Sequence, residues 1–406
     1  MMMKKLALIL ILGFASAANA ADFFVNLSSG NDANAGTAAA PYLTIQKAID
    51  GATGGDEINV AGSSTISQPY TWTNFGATTI DLHLIIKAWD ISTETLELPD
   101  GTTRPAAVLG GGGATSHAFG SDTPKYVQFV GFKLENFTAS AFALGTFNWI
   151  DQCEVDNCGS GQSHAISVSA YCEVSRTNIH DISGHGIYTA SIMNQIHGCK
   201  IQNVTKFGLN INQHDTLCDS NIVINADDDA IVCSGDRCTF TNNTLVGNGG
   251  DGLWAVRIEG PAKELASIRG NIITGFSGTD SGGVFIEAGA NARMLGNNGF
   301  HDNSTNYRID GTLTRDLRGD DKIEPITPFA DAANGDYSLH GSALSLGARV
   351  VGQNGSLGAI QHAAGGGGQP PTPPDCPDPP PAKFRILDDQ GNPIAVDLET
   401  VTIEAQ

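Results

Sequence analysis

Three consecutive aspartates, Asp227, Asp228 and Asp229, precede a short apolar strand in the stretch NADDDAIVC. Hard cations such as Ca²⁺ prefer several oxygen ligands, so these carboxylates, completed by Asp251 or by backbone carbonyls, predict a calcium site. Calcium would then be the cofactor, and it would let an acidic protein hold an acidic polysaccharide. The alternative is a solvated turn, because aspartate is a favoured turn residue.

Two side chains capable of proton transfer precede this cluster in the sequence. His185 lies in the stretch SGHGIY, and Lys206 lies in the next line of the repeat described below. Histidine and lysine act as general acids or bases in a suitable environment, so these two residues and Asp229 form the predicted catalytic group. The alternatives are that His185 fills a turn before a strand and that Lys206 is a turn lysine paired with Asp228.

These residues belong to a repeat of about 22 residues that runs from Lys125 to Val256. An apolar residue opens each of six lines, at Phe129, Ile150, Val174, Ile196, Leu217 and Phe240. A polar turn residue follows, at Asn136, Asn157, Asp181, Asn203, Asn225 and Asn248. Each line then has a small residue and an apolar one, so it predicts two or three short strands that stack on those of the next line. The fold class predicted is all-β: a single-stranded right-handed parallel β-helix, or solenoid.

The aligned lines predict which side chains lie beside each other in neighbouring coils. Asp228 is expected one coil from Lys206, and Asp229 one coil from Asp251. Along the following strand, alternation predicts an outward-facing set that could stack on sugar rings. With one histidine from the adjacent column, the predicted substrate-binding residues are Tyr188, Asn210, Trp254 and His164. Singly exposed aromatic residues are also common and need no ligand.

The segment from Tyr42 to Val60 predicts a short amphipathic helix, a turn and a strand, and the helix would cover the open first coil. The surrounding stretch FFVNLSSGNDANAGTAAAPYLTIQKAIDGATGGDEINVAG resembles the N-terminal cap of the pectate-lyase-like β-helix superfamily, particularly the branch with family 9 polysaccharide lyases. Residues 335–361, GDYSLHGSALSLGARVVGQNGSLGAIQ, resemble the closing segment of the same proteins.

The resemblance implies the β-helix fold with an N-terminal capping helix, and it implies export. By the same resemblance, Lys206 is a candidate for the base that removes the proton α to a uronate carboxylate, as lysines do in β-helical lyases. The cap motif is shared by enzymes and by proteins of no known activity, so it does not select a reaction.

The first residues predict a secretory signal, with Lys4 and Lys5 before a short apolar run and cleavage near Ala20. The predicted divisions are 1–20 signal peptide, 21–362 β-helix domain, 363–382 glycine- and proline-rich linker, and 383–406 short β tail. No later stretch is long enough for a membrane span. The net charge of −21 disfavours nucleic acid as a partner.

The cysteines fall mostly at inward strand positions and are interpreted as small core residues. Cys233 and Cys238 flank one turn and could instead form a bridge, while Cys376 or the tail could support self-association.

Two functional hypotheses follow. The first is a secreted carbohydrate-active protein that binds or cleaves an extracellular polysaccharide or cell-surface glycan, any cleavage being of the lyase or glycosidase type. The second is a non-enzymatic surface, adhesin or assembly protein that uses the β-helix as a rigid scaffold.

Overall fold

The structure is a computed structural model of the 406-residue chain. It describes residues 20–72, 82–113, 116–120, 122–260, 266–313, 316–317, 321–323, 329–331 and 336–339. The chain divides into two units, Met1–His362 and Ala363–Gln406, and all described residues belong to the first. The signal peptide, the linker, the tail and Cys376 lie outside the described residues, so the predictions made for them stay predictions.

The described chain winds into a β-helix in which strands of successive coils pair in parallel. Most coils contribute one strand to each of three faces, called sheets A, B and C. Sheets A and B share strand β2 (Glu57–Thr65) and form a continuous 23-stranded sheet, whereas sheet C has 8 strands. The predicted all-β solenoid is confirmed.

The remaining strands of sheet A are β1 (Asp22–Asn26), β3 (Leu84–Ala88), β7 (Val127–Val130), β10 (Trp149–Asp151), β13 (Glu173–Ser175), β16 (Gln195–His197), β19 (Leu217–Asp219), β22 (Thr239–Thr241), β25 (Ala266–Arg269), β28 (Asn291–Gly296), β31 (Thr312–Leu313) and β32 (Asp316–Leu317). Those of sheet B are β6 (Ala107–Gly110), β8 (Phe132–Glu135), β11 (Glu154–Asp156), β14 (Asn178–Ile182), β17 (Lys200–Val204), β20 (Ile222–Ala226), β23 (Thr244–Val246), β26 (Ile272–Thr274), β29 (Gly299–His301) and β33 (Lys322–Ile323).

Sheet C consists of β9 (Phe142–Leu144), β12 (His164–Val168), β15 (His185–Thr189), β18 (Leu209–Ile211), β21 (Ile231–Cys233), β24 (Trp254–Ile258), β27 (Gly282–Ile286) and β30 (Tyr307–Ile309). Two antiparallel hairpins accompany the coils, β4 (Thr95–Glu97) with β5 (Thr103–Pro105) and β34 (Phe329–Asp331) with β35 (Asp336–Leu339).

The short helix α1 (Ile45–Gly51) lies against β1 and β2 at the first coil. The hydroxyl of Thr44 accepts a hydrogen bond from the backbone N–H of Lys47, which caps the helix at its N-terminus. Ile45 and Ile49 are fully buried against the core. The predicted N-terminal capping helix is therefore present. No helix among the described residues has the length and apolar character needed to cross a membrane.

The turns from sheet B to sheet C depend on residues in the left-handed region of backbone space. Five residues of the predicted polar column adopt φ between 47° and 60°: Asn136, Asn157, Asp181, Asn203 and Asn225. Asparagine and aspartate tolerate this conformation because their short side chains hydrogen-bond locally. Neighbouring members also bond to each other, since Asn157 Nδ2 donates to Asn136 Oδ1 at 2.7 Å and Asn203 Nδ2 donates to Asp181 Oδ1 at 3.0 Å.

A second, buried asparagine ladder stabilises the turns from sheet A to sheet B. Asn221, Asn243, Asn271 and Asn298 are fully buried. The side-chain oxygens of Asn243, Asn271 and Asn298 each accept the backbone N–H of the asparagine one coil earlier, at 2.9 to 3.0 Å. Because unpaired polar groups are costly in the interior, this ladder fixes the turns at each step. The sequence repeat did not single it out.

The core consists of the inward-facing apolar residues of the three sheets. The seven described cysteines are buried and free, which confirms the core interpretation and shows Cys233 and Cys238 unbridged. One core position in the repeat was assigned wrongly. Ile196 pairs with Cys218, which is fully buried, whereas Leu217 is 36% exposed. The column therefore accepts a thiol in place of a larger apolar side chain.

The buried ladder gives a stability prediction. Replacing Asn243 with alanine leaves the N–H of Asn221 and the carbonyl of Cys218 without their partner. We expect the free energy of unfolding to fall by about 2–4 kcal/mol, measured by urea denaturation. The control is Asn157→Gly, which keeps the left-handed turn but removes only an exposed amide contact and should cost less than about 1 kcal/mol. Equal losses at the two positions would contradict the assigned role.

Candidate functional site

The outward-facing residues of sheet C form a continuous row along the β-helix axis, called the outer row. The row alternates with buried residues such as Ile187, Leu209, Ile231 and Val256. Strand register places its members one coil apart in the order Ser167, Tyr188, Asn210, Val232, Arg257, Phe285 and Arg308. Tyr188 and Asn210 therefore share a face, as predicted.

Trp254 is not part of this row, so its predicted position was wrong. The repeat aligned Leu253 with Ile231, but the structure pairs Ile231 with Val256 because this coil is longer than those before it. The shift moves Trp254 out of the row, where it is 2% exposed because it packs against the row residue Phe285 at 5.0 Å between ring centroids, and gives its expected place to Arg257. A buried indole cannot serve as a platform for a sugar ring.

The same shift separates Asp251 from Asp229, so this predicted neighbour pair was also wrong. Asp229 lies beside Trp254, whose backbone N–H donates to its Oδ1 at 2.7 Å. Asp251 Oδ1 instead accepts the N–H of Thr279 at 2.6 Å in the following coil.

The four predicted calcium ligands consequently have four different partners. Asp227 accepts a long hydrogen bond from Asn248 at 3.4 Å, and the Lys206 ammonium lies 3.3 Å from Asp228. Asp229 pairs with Arg257, and Asp251 accepts a hydrogen bond from the backbone N–H of Thr279. Calcium requires several oxygens around one point, and these carboxylates do not provide that arrangement. The residues present therefore do not fit the ion.

This geometry predicts the result of a calcium titration. Asp228 already has the Lys206 ammonium as its partner and gains no neighbouring carboxylate from Asp251. We expect calorimetry to give the same heats for the wild-type protein and for Asp228→Ala. A saturable calcium signal that disappears only in Asp228→Ala would show that the carboxylates rearrange around the ion.

One group of described residues does have metal-ligand spacing, on the outer face of sheet B. Its members are Glu154, Asp156 and His180, from adjacent coils. Cationic side chains already occupy this group, because Lys133 Nζ lies 2.7 Å from Glu154. Burial alone would lower the pKa of His180, but its bonds to Glu154 and Asp181 raise it to about 9. The group is held as an ion-pair network, and a metal ion would have to displace the proton of His180 and the Lys133 ammonium to bind there.

The network gives a pH prediction. The pKa of His180 rises from 6.5 to about 9 on folding, so its contribution to stability is complete below pH 6.5 and is lost as the pH rises through 9. We expect the melting temperature to fall across that interval. In His180→Gln, which does not titrate, the fall should be smaller. A profile identical to that of the wild type would show that another group causes it.

Asp229 lies behind the outer row and holds Arg257 in place. Its carboxylate is 2% exposed and lies 2.9 Å from Arg257 Nε. Burial raises the pKa of Asp229 to about 7, although Arg257 and the Trp254 N–H act to lower it. The side chain of Arg257 is itself 27% exposed, so the pair presents a guanidinium to solvent. This position suits Asp229 to orienting Arg257 better than to direct contact with a ligand.

The predicted histidines form an aromatic stack beside the outer row. His164 stacks on Tyr188 with ring centroids 4.3 Å apart and an interplanar angle of 18°. His185 lies between His164 and Phe207, is 5% exposed, and has its Nε2 3.4 Å from the amide oxygen of Gln162. Burial lowers the pKa of both histidines, that of His164 to about 4, so both are neutral at pH 7. Tyr188 and His164 therefore form a partly exposed, rigid aromatic platform.

Lys206 lies next to this platform and pairs with Asp228, as the aligned lines predicted. Both side chains are accessible, at 35% and 40% exposure. Their charges reach His185, since Asp228 raises and Lys206 lowers its pKa. The surface therefore combines a stacking platform with an exposed ion pair.

Sequence reasoning missed the cationic end of the outer row. The ring of Phe285 lies between two guanidinium groups, 5.8 Å from Arg257 and 4.6 Å from Arg308. Arg308 also pairs with Asp280 and Asp310 at 2.8 and 3.0 Å. The alternation in VRI, with the apolar Val256 and Ile258 inward, was the signal that would have placed Arg257 outward.

Two carboxylates at the end of sheet C were missed as well. Glu259 and Glu287 follow the paired residues Ile258 and Ile286, so they occupy equivalent positions in neighbouring coils. Burial raises the pKa of Glu259, and the charge of Glu287 raises it further. A carboxyl group with a raised pKa beside a second carboxyl group has the chemistry of a general acid and its partner.

A cavity of about 580 Å³ lies at the end of the outer row that is formed by the earlier coils. Its lining includes the row residue Ser167, the sheet C residue Ala143 of the preceding coil, and Ala190, two residues after Tyr188. This volume lies within the range of sites for small ligands, roughly 300–1,000 Å³. The platform is therefore bordered by a depression on one side and by Lys206 and Arg257 on the other.

Comparison with known proteins agrees with this architecture. Residues 120–260 match the family model for a right-handed β-helix region. A rhamnogalacturonan lyase structure is 13% identical with a TM-score of 0.50, over 85% of this chain and 96% of that chain. The crystal structure of pectate lyase Pel9A is 12% identical with a TM-score of 0.51, over 85% and 97%. The fold is a right-handed parallel β-helix, and it is similar to the folds of these two lyases.

At these identities the likeness shows the fold of this β-helix and leaves its reaction open. A search of curated proteins by sequence finds no match.

Proposed function

We propose that this chain is a secreted carbohydrate-active β-helix that binds an extracellular polysaccharide along its outer row. The observation that carries the proposal is the Tyr188–His164 platform, placed between a cavity of about 580 Å³ and the exposed Lys206. Aromatic rings held on a rigid sheet stack well against sugar rings. The predicted signal peptide and the lyases of the same fold support an extracellular glycan as the ligand.

The charges of the outer row favour a polyuronate. The protein has a net charge of −21, which repels polyanions overall. Lys206, Arg257 and Arg308 nevertheless lie on or beside this one surface, each held by an aspartate. A uronate carboxylate would pair with Arg257, and the bound sugar would displace the exposed Asp228 from Lys206. Cations placed on this surface would offset the general repulsion without a bridging metal.

Elimination is the reaction that Lys206 fits best. With Asp228 displaced and the uronate carboxylate held by Arg257, Lys206 would act in its amine form and remove the proton α to that carboxylate. The electron pair forms a carbon–carbon double bond as the glycosidic C–O bond breaks, and the departing sugar oxygen takes up a proton from water. Arg257 would stabilise the negative charge that develops on the carboxylate. The products are an unsaturated end and a new reducing end.

Hydrolysis is the second candidate reaction, and the Glu259–Glu287 pair favours it. Glycosidases use two carboxyl groups, one protonated and one ionised, on either side of the scissile bond. Burial and the neighbouring Glu287 raise the pKa of Glu259, in the direction that a general acid needs. This pair lies at the end of sheet C, away from the platform, so it would act on a different unit of the bound chain.

The test is a screen of polyuronates and neutral glycans, with unsaturated ends followed by ultraviolet absorbance and reducing ends measured in parallel. We expect unsaturated products from a polyuronate. Lys206→Ala should lower kcat by about 10²–10⁴, the usual effect of losing a general base. Tyr188→Ala should mainly raise KM. The matched control is Lys200→Ala. Lys200 lies on strand β17 of sheet B, outside the site, so its replacement should leave kcat and KM unchanged.

The other outcomes are distinguishable. Reducing ends without unsaturation, abolished in Glu259→Gln, would replace elimination with hydrolysis. Glycan binding that depends on Tyr188 but gives no product would support the non-enzymatic scaffold. Neither binding nor product with any glycan would overturn the proposal.

A further inference from the structure

A separate cavity of about 340 Å³ lies on the outer face of sheet A, a different face from the outer row. Its centre is Trp149 on strand β10, which is partly exposed. Register places Gln128 one coil before Trp149 and Glu173 one coil after it. His83, from the segment before β3, closes one side. Residues from four coils or loops therefore converge on one indole.

The indole is held in a fixed orientation. The ring of His83 lies edge-on to it at 6.2 Å and 65°, and the ring of Tyr126 lies 6.3 Å away. Neighbouring rings continue this aromatic surface, since Phe147 and Tyr171 stack at 4.6 Å with an angle of 2°. A fixed aromatic floor reduces the entropy lost when a flat apolar face of a ligand stacks on it.

The polar groups around this floor are also held in position. Asp151, which is 7% exposed, accepts hydrogen bonds from Ser175 Oγ at 2.9 Å and Arg176 Nε at 2.8 Å. Glu173 lies 2.8 Å from His197 Nε2. Carboxylates, a hydroxyl, a guanidinium and the Gln128 amide thus surround the indole with oriented donors and acceptors. Sites of this composition combine stacking with hydrogen bonds to hydroxyl groups.

The charges of this cavity select an uncharged ligand. The guanidinium of Arg176 already neutralises Asp151, and His197 is bonded to Glu173. The described lining has two carboxylates and a single guanidinium, so carboxylates outnumber the cation that could hold an anionic sugar. An anionic sugar would meet two carboxylates in a strongly acidic protein, which disfavours it. The volume lies near the lower end of the range for small-ligand sites, so it suits one or two sugar units.

We infer that the Trp149 cavity is a second glycan-binding site, specific for a neutral sugar unit. It lies outside the outer row and uses none of the residues proposed for binding or cleavage there. A sugar ring would stack on the indole, with its hydroxyl groups bonded to Gln128, Glu173 and the Asp151–Arg176 pair. The site would anchor a neutral glycan, or neutral segments of a mixed one, to a second face of the β-helix.

The experiment titrates the full-length protein with neutral di- and trisaccharides derived from cellulose, xylan, mannan and galactan. Binding is followed by calorimetry and by tryptophan fluorescence, with an oligouronate as the charged comparison. We expect saturable binding of at least one neutral sugar and weaker or no binding of the oligouronate at this cavity. Trp149→Ala should weaken the neutral sugar's affinity at least tenfold. Gln128→Ala, which keeps the indole, should weaken it by a smaller factor.

Two controls keep the result interpretable. Circular dichroism and the melting temperature establish that the variants are folded, and Gln128→Ala tests the site if Trp149→Ala is not. Tyr188→Ala should leave neutral-sugar binding unchanged even if the outer row proves inactive. The inference is overturned if no neutral sugar binds saturably, if Tyr188→Ala lowers the affinity as much as Trp149→Ala, or if the oligouronate binds this cavity more tightly.

Discussion

Parallel backbone pairing between coils is the interaction on which the rest of this structure depends. Strands paired in register lie about 4.8 Å apart, so each side chain's nearest neighbour is the equivalent residue one coil away. Like charges at that spacing repel, and at many positions the described sequence places opposite charges on adjacent coils. Ion pairs that bridge adjacent coils include Lys133–Glu154, Arg176–Asp151, His197–Glu173, Lys206–Asp228, Arg237–Asp215 and Arg257–Asp229.

The turns must preserve this register at every coil, and two kinds of asparagine do so. Exposed asparagines such as Asn157 and Asn203 adopt the left-handed backbone conformation that reverses the chain sharply. Buried asparagines such as Asn243 bond from coil to coil and satisfy turn amides that water cannot reach. Because both kinds stiffen the corners, side chains on the flat faces keep fixed positions, as binding surfaces require.

The repeat predicted the fold and much of the candidate site, but its accuracy ended where coil length changed. Lys206 beside Asp228, and Tyr188 beside Asn210, were predicted correctly because the coils between them have nearly equal length. The following coil is longer, and an alignment of equal lines then misplaced Asp251 and Trp254. Turn loops accept extra residues easily, whereas strand pairing does not, so alternation within a strand locates its residues better than distance along the chain.

The Trp149 cavity could not be predicted from the repeat for a different reason. His83 precedes the first repeating line, and its place beside Trp149 depends on how the early coils stack. The two surfaces also differ electrostatically in a way that composition alone conceals. An overall charge of −21 suggests one acidic exterior, but three cations, each paired with an aspartate, lie on or beside the outer row, whereas two carboxylates and one guanidinium line the cavity on sheet A. Because charge selects ligands locally, through groups within a few ångströms, opposite preferences can coexist on two faces of one β-helix. A polysaccharide with both uronate and neutral units would be the ligand that uses both faces.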